Sequence, residues 1–227
     1  MRRFVIITFT LLFSFEVFAE KALSSGRYEL LSGVRRSRDK KGIWDRKYRR
    51  KDYIYGKAPA KFLGQNYHYL SPASKVLDMG MGEGRNAVFL ASKGHDVLGV
   101  DISSVAIKKA RSLAKEQGVS IRTRVASLNN FKIEPSSLDA IICFFYVDRS
   151  LVKKMISWLR PGGILIYQSH TTLQKKVANI GKENEKYLLQ PGELLAMFSG
   201  LRVLKYEEPN HEKEYTAALI AQKLPSM

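Results

Sequence analysis

From Lys75 onward, short aliphatic runs alternate with segments of helical periodicity. Val76-Leu77-Asp78 predicts a short buried strand, and a glycine-rich turn leads from it into a helix over about Arg85 to Ser92. Val97 to Val100 predicts a second strand that ends at Asp101. Ser103 or Ser104 can cap the next helix, which runs to about Gln117 before Gly118 stops it. Ile121 to Val125 and Leu138 to Phe144 read as the third and fourth strands. A helix over Arg149–Leu159 ends at Pro161-Gly162-Gly163, and Ile164 to Gln168 follows as the fifth strand. Pro191 opens a helix through Phe198, and Leu201 to Glu207 with Tyr215 to Gln222 predict a closing antiparallel pair. This alternation implies βαβ units: an α/β, doubly wound, mainly parallel seven-stranded sheet.

The chain ahead of Lys75 follows no such alternation. Arg2 and Arg3 precede an apolar run from Phe4 to Phe15, and Val17-Phe18-Ala19 follows Glu16. That layout is signal-peptide-like, and it falls short of the ~20 apolar residues of a spanning helix. Residues 1–19 are therefore set apart from the fold, residues 20–70 form a basic aromatic extension, and residues 71–227 form the main domain. An export signal predicts an exported or periplasmic protein. Lys21, Arg27, Arg35, Arg36 and Arg38 lie after the apolar run, however, and positive residues favour the cytoplasmic side. A short anchor with the domain on the cytoplasmic face is the alternative.

Composition changes this picture in two ways. The single cysteine, Cys143, excludes an intramolecular disulfide framework and a cysteine zinc cluster. The formal net charge is +17, and residues 20–57 hold thirteen Lys and Arg against five Asp and Glu. Such a block suits an anionic membrane surface or a phosphate-bearing partner. No aromatic signature of the RNA-recognition-motif kind accompanies it, which argues against nucleic acid.

Candidate chemistry concentrates between Val76 and Ser103. Gly80, Gly82 and Gly84 lie between strand and helix, where the backbone can approach a ligand closely. The G-x-G-x-x-G dinucleotide pattern fails, because its third glycine falls on Arg85. Asp78, at the strand end, would repel a pyrophosphate but suits a ligand with an ammonium and a sulfonium and no phosphate. Asp101 ends the second strand and can accept from both hydroxyls of a ribose. Together these features point to S-adenosyl-L-methionine rather than a nicotinamide cofactor.

With these residues in place, the chain resembles the class I S-adenosylmethionine-dependent methyltransferases, and more closely their tellurite-resistance-like branch. The resemblance extends over about residues 43–223. It is carried by the glycine motif and by "WDRKYRRKDYIYGKAPAKFL" (Trp44 to Leu63), "LDAIICFF" (Leu138 to Phe145), "LRPGGILIY" (Leu159 to Tyr167) and "LLQPGELLAMFSGLRVLKYEE" (Leu188 to Glu208). It implies a Rossmann-like methyltransferase fold, with backbone contacts from Gly80 and Gly82 to the methionine and sugar portions of the cofactor. It further implies that Arg85 and Asn86 open the helix beneath the cofactor, that Asp101 takes the ribose, and that Ile102 packs on the adenine. Ser127 stands where the family often has an acidic residue at the adenine amine, and Leu128 would meet the adenine through its backbone amide. Cys143 to Tyr146 would line the floor near the transferred methyl group.

Methyl transfer from a sulfonium needs alignment more than acid–base machinery, so a Ser-His-Asp constellation is not required. His170, just past the fifth strand, is the first candidate for an acceptor-side catalytic role, and His211 in the last hairpin is the second. Trp44, Tyr53 and Tyr55 can fold over the site as a lid. Cys143, inside an apolar strand, reads as core rather than nucleophile. The expected acceptor is a small molecule or soft anion of the tellurite, selenite or thiol kind. RNA or protein methylation and a non-catalytic cofactor-binding module are the alternatives. Cys143-Phe144-Phe145-Tyr146 holds no Asn-Pro-Pro-Tyr-type motif for an exocyclic base amine, which weighs against RNA.

Overall fold

The computed structural model describes residues 40–178, 180, 182–209 and 214–225. The signal-like segment, much of the basic block and His211 lie outside the described residues. The chain divides into two units, Met1–Ile43 and Trp44–Met227. Of the first, only residues 40–43 are described, and they are helical. Among the described residues no helix is long and apolar enough to cross a membrane.

In the second unit, the strands are β1 (Lys75–Met79), β2 (Asp96–Asp101), β3 (Arg122–Val125), β4 (Leu138–Phe144), β5 (Leu159–His170), β6 (Arg202–Glu207) and β7 (Thr216–Gln222). They form one seven-stranded sheet in the order β3-β2-β1-β4-β5-β7-β6. The first five are parallel, and β7 runs antiparallel to both β5 and β6. The doubly wound sheet with a closing antiparallel pair is thus present as expected. β1 lies between β2 and β4, so the chain order reverses there and leaves a crevice at the strands' carboxyl ends.

Both faces of the central strands are covered, which accounts for their unbroken apolar runs. On one face, α1 (Lys61–Asn66), α2 (Arg85–Ser92) and α3 (Ser104–Glu116) bring Phe62, Leu63, Leu90, Ile107 and Ala110 against Val76, Ile142 and Ile166. On the other, α4 (Val152–Trp158) and α5 (Glu193–Met197) contribute Met155, Trp158 and Leu194, which pack with Phe198 against Leu77, Ile141 and Leu165. Ser103 caps α3 by accepting from Ala106 N at 3.1 Å, a bond worth about 1 kcal/mol.

Four local expectations need correction. The helix expected over Arg149–Leu159 starts as a 3-10 turn, Arg149–Leu151, and its α-helical part stops at Trp158. β5 then begins at Leu159 and runs through Pro161-Gly162-Gly163 instead of starting at Ile164. The cause is tertiary: Gly162 N donates to Lys223 O at 2.7 Å, and Lys223 N donates to Gly163 O at 2.9 Å. Near Pro191, only Glu193–Met197 is helical. The extension, where no element was expected, supplies α1 and a 3-10 turn over Tyr67–Tyr69.

Candidate functional site

The crevice is built around the turn between β1 and α2. Gly80 N and Met81 N both donate to Val100 O, at 2.9 and 3.1 Å, which folds the turn back onto β2. Gly84 has φ +87°, and a Cβ there would lie 2.6 Å from Ala110 Cβ, so it lets α2 pack on α3. Gly82 has φ +54°, and a Cβ there would lie 2.9 Å from the Tyr48 hydroxyl. The second glycine therefore makes room for the N-terminal aromatic segment as well as for a ligand.

Two buried carboxylates flank this turn. Asp101 accepts from Gly82 N at 2.9 Å through Oδ2 and from Ser103 N at 2.8 Å through Oδ1. Each oxygen retains a lone pair for a further donor. Asp78 Oδ2 is buried and has no hydrogen-bond partner. Burial first, and then the charge of Asp101, pushes the Asp78 carboxyl up to about 7, against the Ala87 backbone and the Arg85 charge. An orphaned acidic oxygen beside a second carboxylate calls for hydrogen-bond donors and positive charge. The ammonium and ribose hydroxyls of S-adenosylmethionine fit these acceptors.

This assignment has a measurable sign. An ammonium favours ionised Asp78, so affinity for S-adenosylhomocysteine is expected to rise as pH rises through 7. Calorimetry should show Kd increasing several-fold between pH 8 and pH 6, with a limit of about tenfold per pH unit. Asp78→Asn should bind weakly at every pH with no such slope; an unchanged slope would remove the assignment. Because the folded value lies above the ordinary one, this group also costs the ligand-free fold stability as pH rises from about 4 to about 7.

The aromatic segment Trp44–Lys57 forms a strap over the turn. Trp44 stacks on Tyr48 with centroids 5.6 Å apart, and Tyr48 is 5% exposed. Burial and the nearby Asp101 hold the Tyr48 phenol well above its ordinary value, so it stays protonated. Asp45 Oδ1 accepts from Ser103 Oγ at 2.7 Å and from Val105 N at 3.3 Å. Lys109 Nζ pairs with Glu83 and donates to the carbonyls of Arg50 and Asp52 at 3.1 and 2.7 Å. Ile54 N donates to Glu83 Oε2 at 2.7 Å. One buried ion pair thus fixes the strap to both the glycine turn and α3.

Arg85 starts α2, and its guanidinium lies 5.9 Å from the rings of both Tyr55 and Phe145. Phe145 follows β4 with φ +57°, an uncommon conformation for a bulky residue, and its ring is partly exposed. The His170 ring packs on it at 4.8 Å. His170 Nδ1 is 3.9 Å from Glu214 and lacks a hydrogen-bond partner. Burial lowers the imidazole pKa, opposed by Glu214, so His170 is neutral at neutral pH. A guanidinium, an aromatic face and a neutral imidazole therefore share the carboxyl edge of the sheet.

The other expected residues fall as follows. Ile102 and Ser127 are half-buried at the ends of β2 and β3, and Leu128 is buried in the core. Asn86 is buried, and its Oδ1 accepts from Ala60 N at 2.9 Å, so this side chain secures the entry to α1. Cys143 is buried and its thiol is pushed up by burial, consistent with core packing. Tyr146 lies against Gly80 and Phe145 is on the rim. Tyr48, Glu83, Lys109 and Glu214 were not anticipated. Of these, only the Trp44–Tyr48 spacing of four residues carried a local signal, since it puts both rings on one helix face. Among the described residues, no group of His, Cys, Asp and Glu is placed to hold a metal.

The parallel sheet closed by an antiparallel pair, with two acidic strand ends around a glycine turn, is a Rossmann-like methyltransferase fold. Residues 76–163 match the family model described as a methyltransferase domain. The tRNA 5-carboxymethoxyuridine methyltransferase of Escherichia coli (strain K12) is 33% identical over 110 residues, covering 44% of this chain and 42% of that protein. The ubiquinone biosynthesis O-methyltransferase of Xanthomonas campestris pv. campestris (strain B100) is 30% identical over 129 residues, covering 53% and 54%. The chain thus spans about half the length of the curated relatives it matches. Its fold is shared with TehB from Haemophilus influenzae at a TM-score of 0.62 and 20% identity, covering 75% of this chain and 64% of that one.

Proposed function

We propose that this chain transfers the methyl group of S-adenosylmethionine to a small acceptor, either a protic hydroxyl or thiol or a soft oxyanion such as tellurite or selenite. The observation that carries this reading is the meeting of Arg85, Phe145 and neutral His170 beside the two buried carboxylates. Asp78, Asp101 and the amides of the glycine turn would hold the cofactor, which supplies a methyl group already activated on a positive sulfur. The acceptor site then has to hold a nucleophile close and dry, and proximity of this kind can contribute roughly 7–11 kcal/mol. Arg85 favours an acceptor that carries or develops negative charge, and the Phe145 ring offers it an apolar wall.

His170 separates the two kinds of acceptor. A protic one must lose a proton, and a neutral imidazole at the rim can take it. His170→Gln is expected to slow transfer to catechol or an aliphatic thiol about 100-fold or more. Transfer to tellurite should change little, and so should the Kd for S-adenosylhomocysteine. Equal losses on every acceptor, or loss of cofactor binding, would remove the proton-accepting role. The RNA reading draws support from the Escherichia coli relative, whose name specifies a tRNA nucleoside carrying a carboxymethoxy group. Methyl incorporation into total RNA, run beside the small acceptors, distinguishes it.

A further inference from the structure

The face of the domain that carries α3 is strongly cationic well away from the cofactor turn. Lys108, Arg111 and Lys115 recur at three- and four-residue spacing, so they share the outer side of α3 over roughly 10 Å. They line a shallow groove of about 430 Å³ between α3 and the edge strand β3, with Ser104, Ile107, Ser112 and Val125 completing it. Arg111 Nε donates to Thr123 Oγ1 at 2.8 Å, which ties the helix to that edge. The strap lies along the opposite flank of α3. There Lys57 bonds both oxygens of Glu116 at 2.7 Å, and the Tyr53 hydroxyl donates to Lys109 O at 3.1 Å. Lys51 and Lys57 line a second depression on that flank. The acidic groups on this face are matched: Glu116 to Lys57, Asp52 to Arg50 and Asp96 to Arg122. Lys51, Lys108, Arg111 and Lys115 have no anionic partner among the described residues and form its surplus.

We propose that this face, with α3 at its centre and the strap and β3 on either side, docks the domain on an anionic lipid bilayer. Three observations favour a bilayer over a nucleic acid. The surplus cations include Lys51 on the strap as well as the row on α3, so they extend beyond one helix. The Tyr53 ring on this face is covered by cations rather than open to a base, since the Nζ atoms of Lys57 and Lys109 lie 5.1 and 4.9 Å from it. The strap also continues a stretch, residues 20–57, in which thirteen cations oppose five anions and which follows the apolar run Phe4–Phe15. Long lysine side chains suit a headgroup layer, since the stems can lie along the surface while the ammonium groups reach phosphate. Docking does not depend on the identity of the methyl acceptor.

The test uses the full chain and vesicles of phosphatidylglycerol and phosphatidylcholine, compared with phosphatidylcholine alone. Binding to the anionic vesicles is expected, with steep weakening by salt and none to the neutral ones. Lys108→Gln and Lys115→Gln should each weaken vesicle affinity about fivefold, the equivalent of ~1 kcal/mol per cation near the surface. Neither should alter the Kd for S-adenosylhomocysteine, since both side chains point away from the turn. A probe at Ser112→Cys should be shielded from aqueous iodide when vesicles are added, while one at Ser157→Cys stays exposed; Cys143 is buried and does not interfere. If both lysine variants bind vesicles like the parent chain, or the Ser112 probe stays exposed, any attachment resides in the N-terminal block and the face is not a docking surface. Tighter binding of tRNA than of vesicles, lost in the same two variants, would assign the face to nucleic acid and overturn the proposal.

Discussion

Asp101→Ala should raise the dissociation constant for S-adenosylhomocysteine by about 10- to 150-fold, the equivalent of roughly 1.5–3 kcal/mol for hydrogen bonds to a charged acceptor. The carboxylate has two duties. Its remaining lone pairs face the crevice, and its two oxygens already receive Gly82 N and Ser103 N. Alanine leaves both amides without their acceptor in a buried site, so the turn should loosen and the melting temperature should fall as well. Asp101→Asn keeps one acceptor oxygen and should lie between the two. Calorimetric titration and thermal melts on the same preparations separate ligand loss from fold loss. An unchanged dissociation constant would end the ribose assignment even if the melting temperature dropped.

Lys109→Met should destabilise the domain by about 3 kcal/mol, in the range found when one member of a buried pair is removed. The side chain of Glu83 is 3% exposed and that of Lys109 is 16% exposed, so water cannot replace the lost partner. The substitution also removes the donor to the carbonyls of Arg50 and Asp52, freeing the strap where it crosses α3. Adding Glu83→Gln should recover part of the loss, because the stranded charge is gone and the amide can still accept from Ile54 N. Urea denaturation of the single and double variants measures this. A double variant no better than Lys109→Met would show that the carbonyl contacts, rather than the ion pair, hold the strap.

What could be read in advance follows from how local each feature is. β1, β2 and β4 are buried on both faces, so their apolar runs stand out in the sequence. The carboxylates at 78 and 101 end two of those runs, which is why they could be placed in the crevice. The first turn of β5 was missed because a Pro-Gly-Gly sequence normally interrupts structure. Here it is held in the sheet by the backbone of Lys223, about sixty residues away. His170 was expected just past the fifth strand and is instead the last residue of β5, and its neighbour Glu214 depends on the β5–β7 register that pairs His170 with Thr216. Lys109 looked like any helix-surface lysine. Its role appears only when the strap lays three carbonyls across it.

The strap also bears on timing. Tyr48 covers the second glycine of the turn, and the segment around it is bonded to α2, α3 and the turn itself. A molecule seated against Gly82 and Asp101 cannot leave through that side until the strap lifts. Exchange of spent for fresh cofactor by that route is a conformational step with its own barrier, separate from bond making. Were that opening slower than methyl transfer, the first turnover would outrun those that follow when acceptor is in excess.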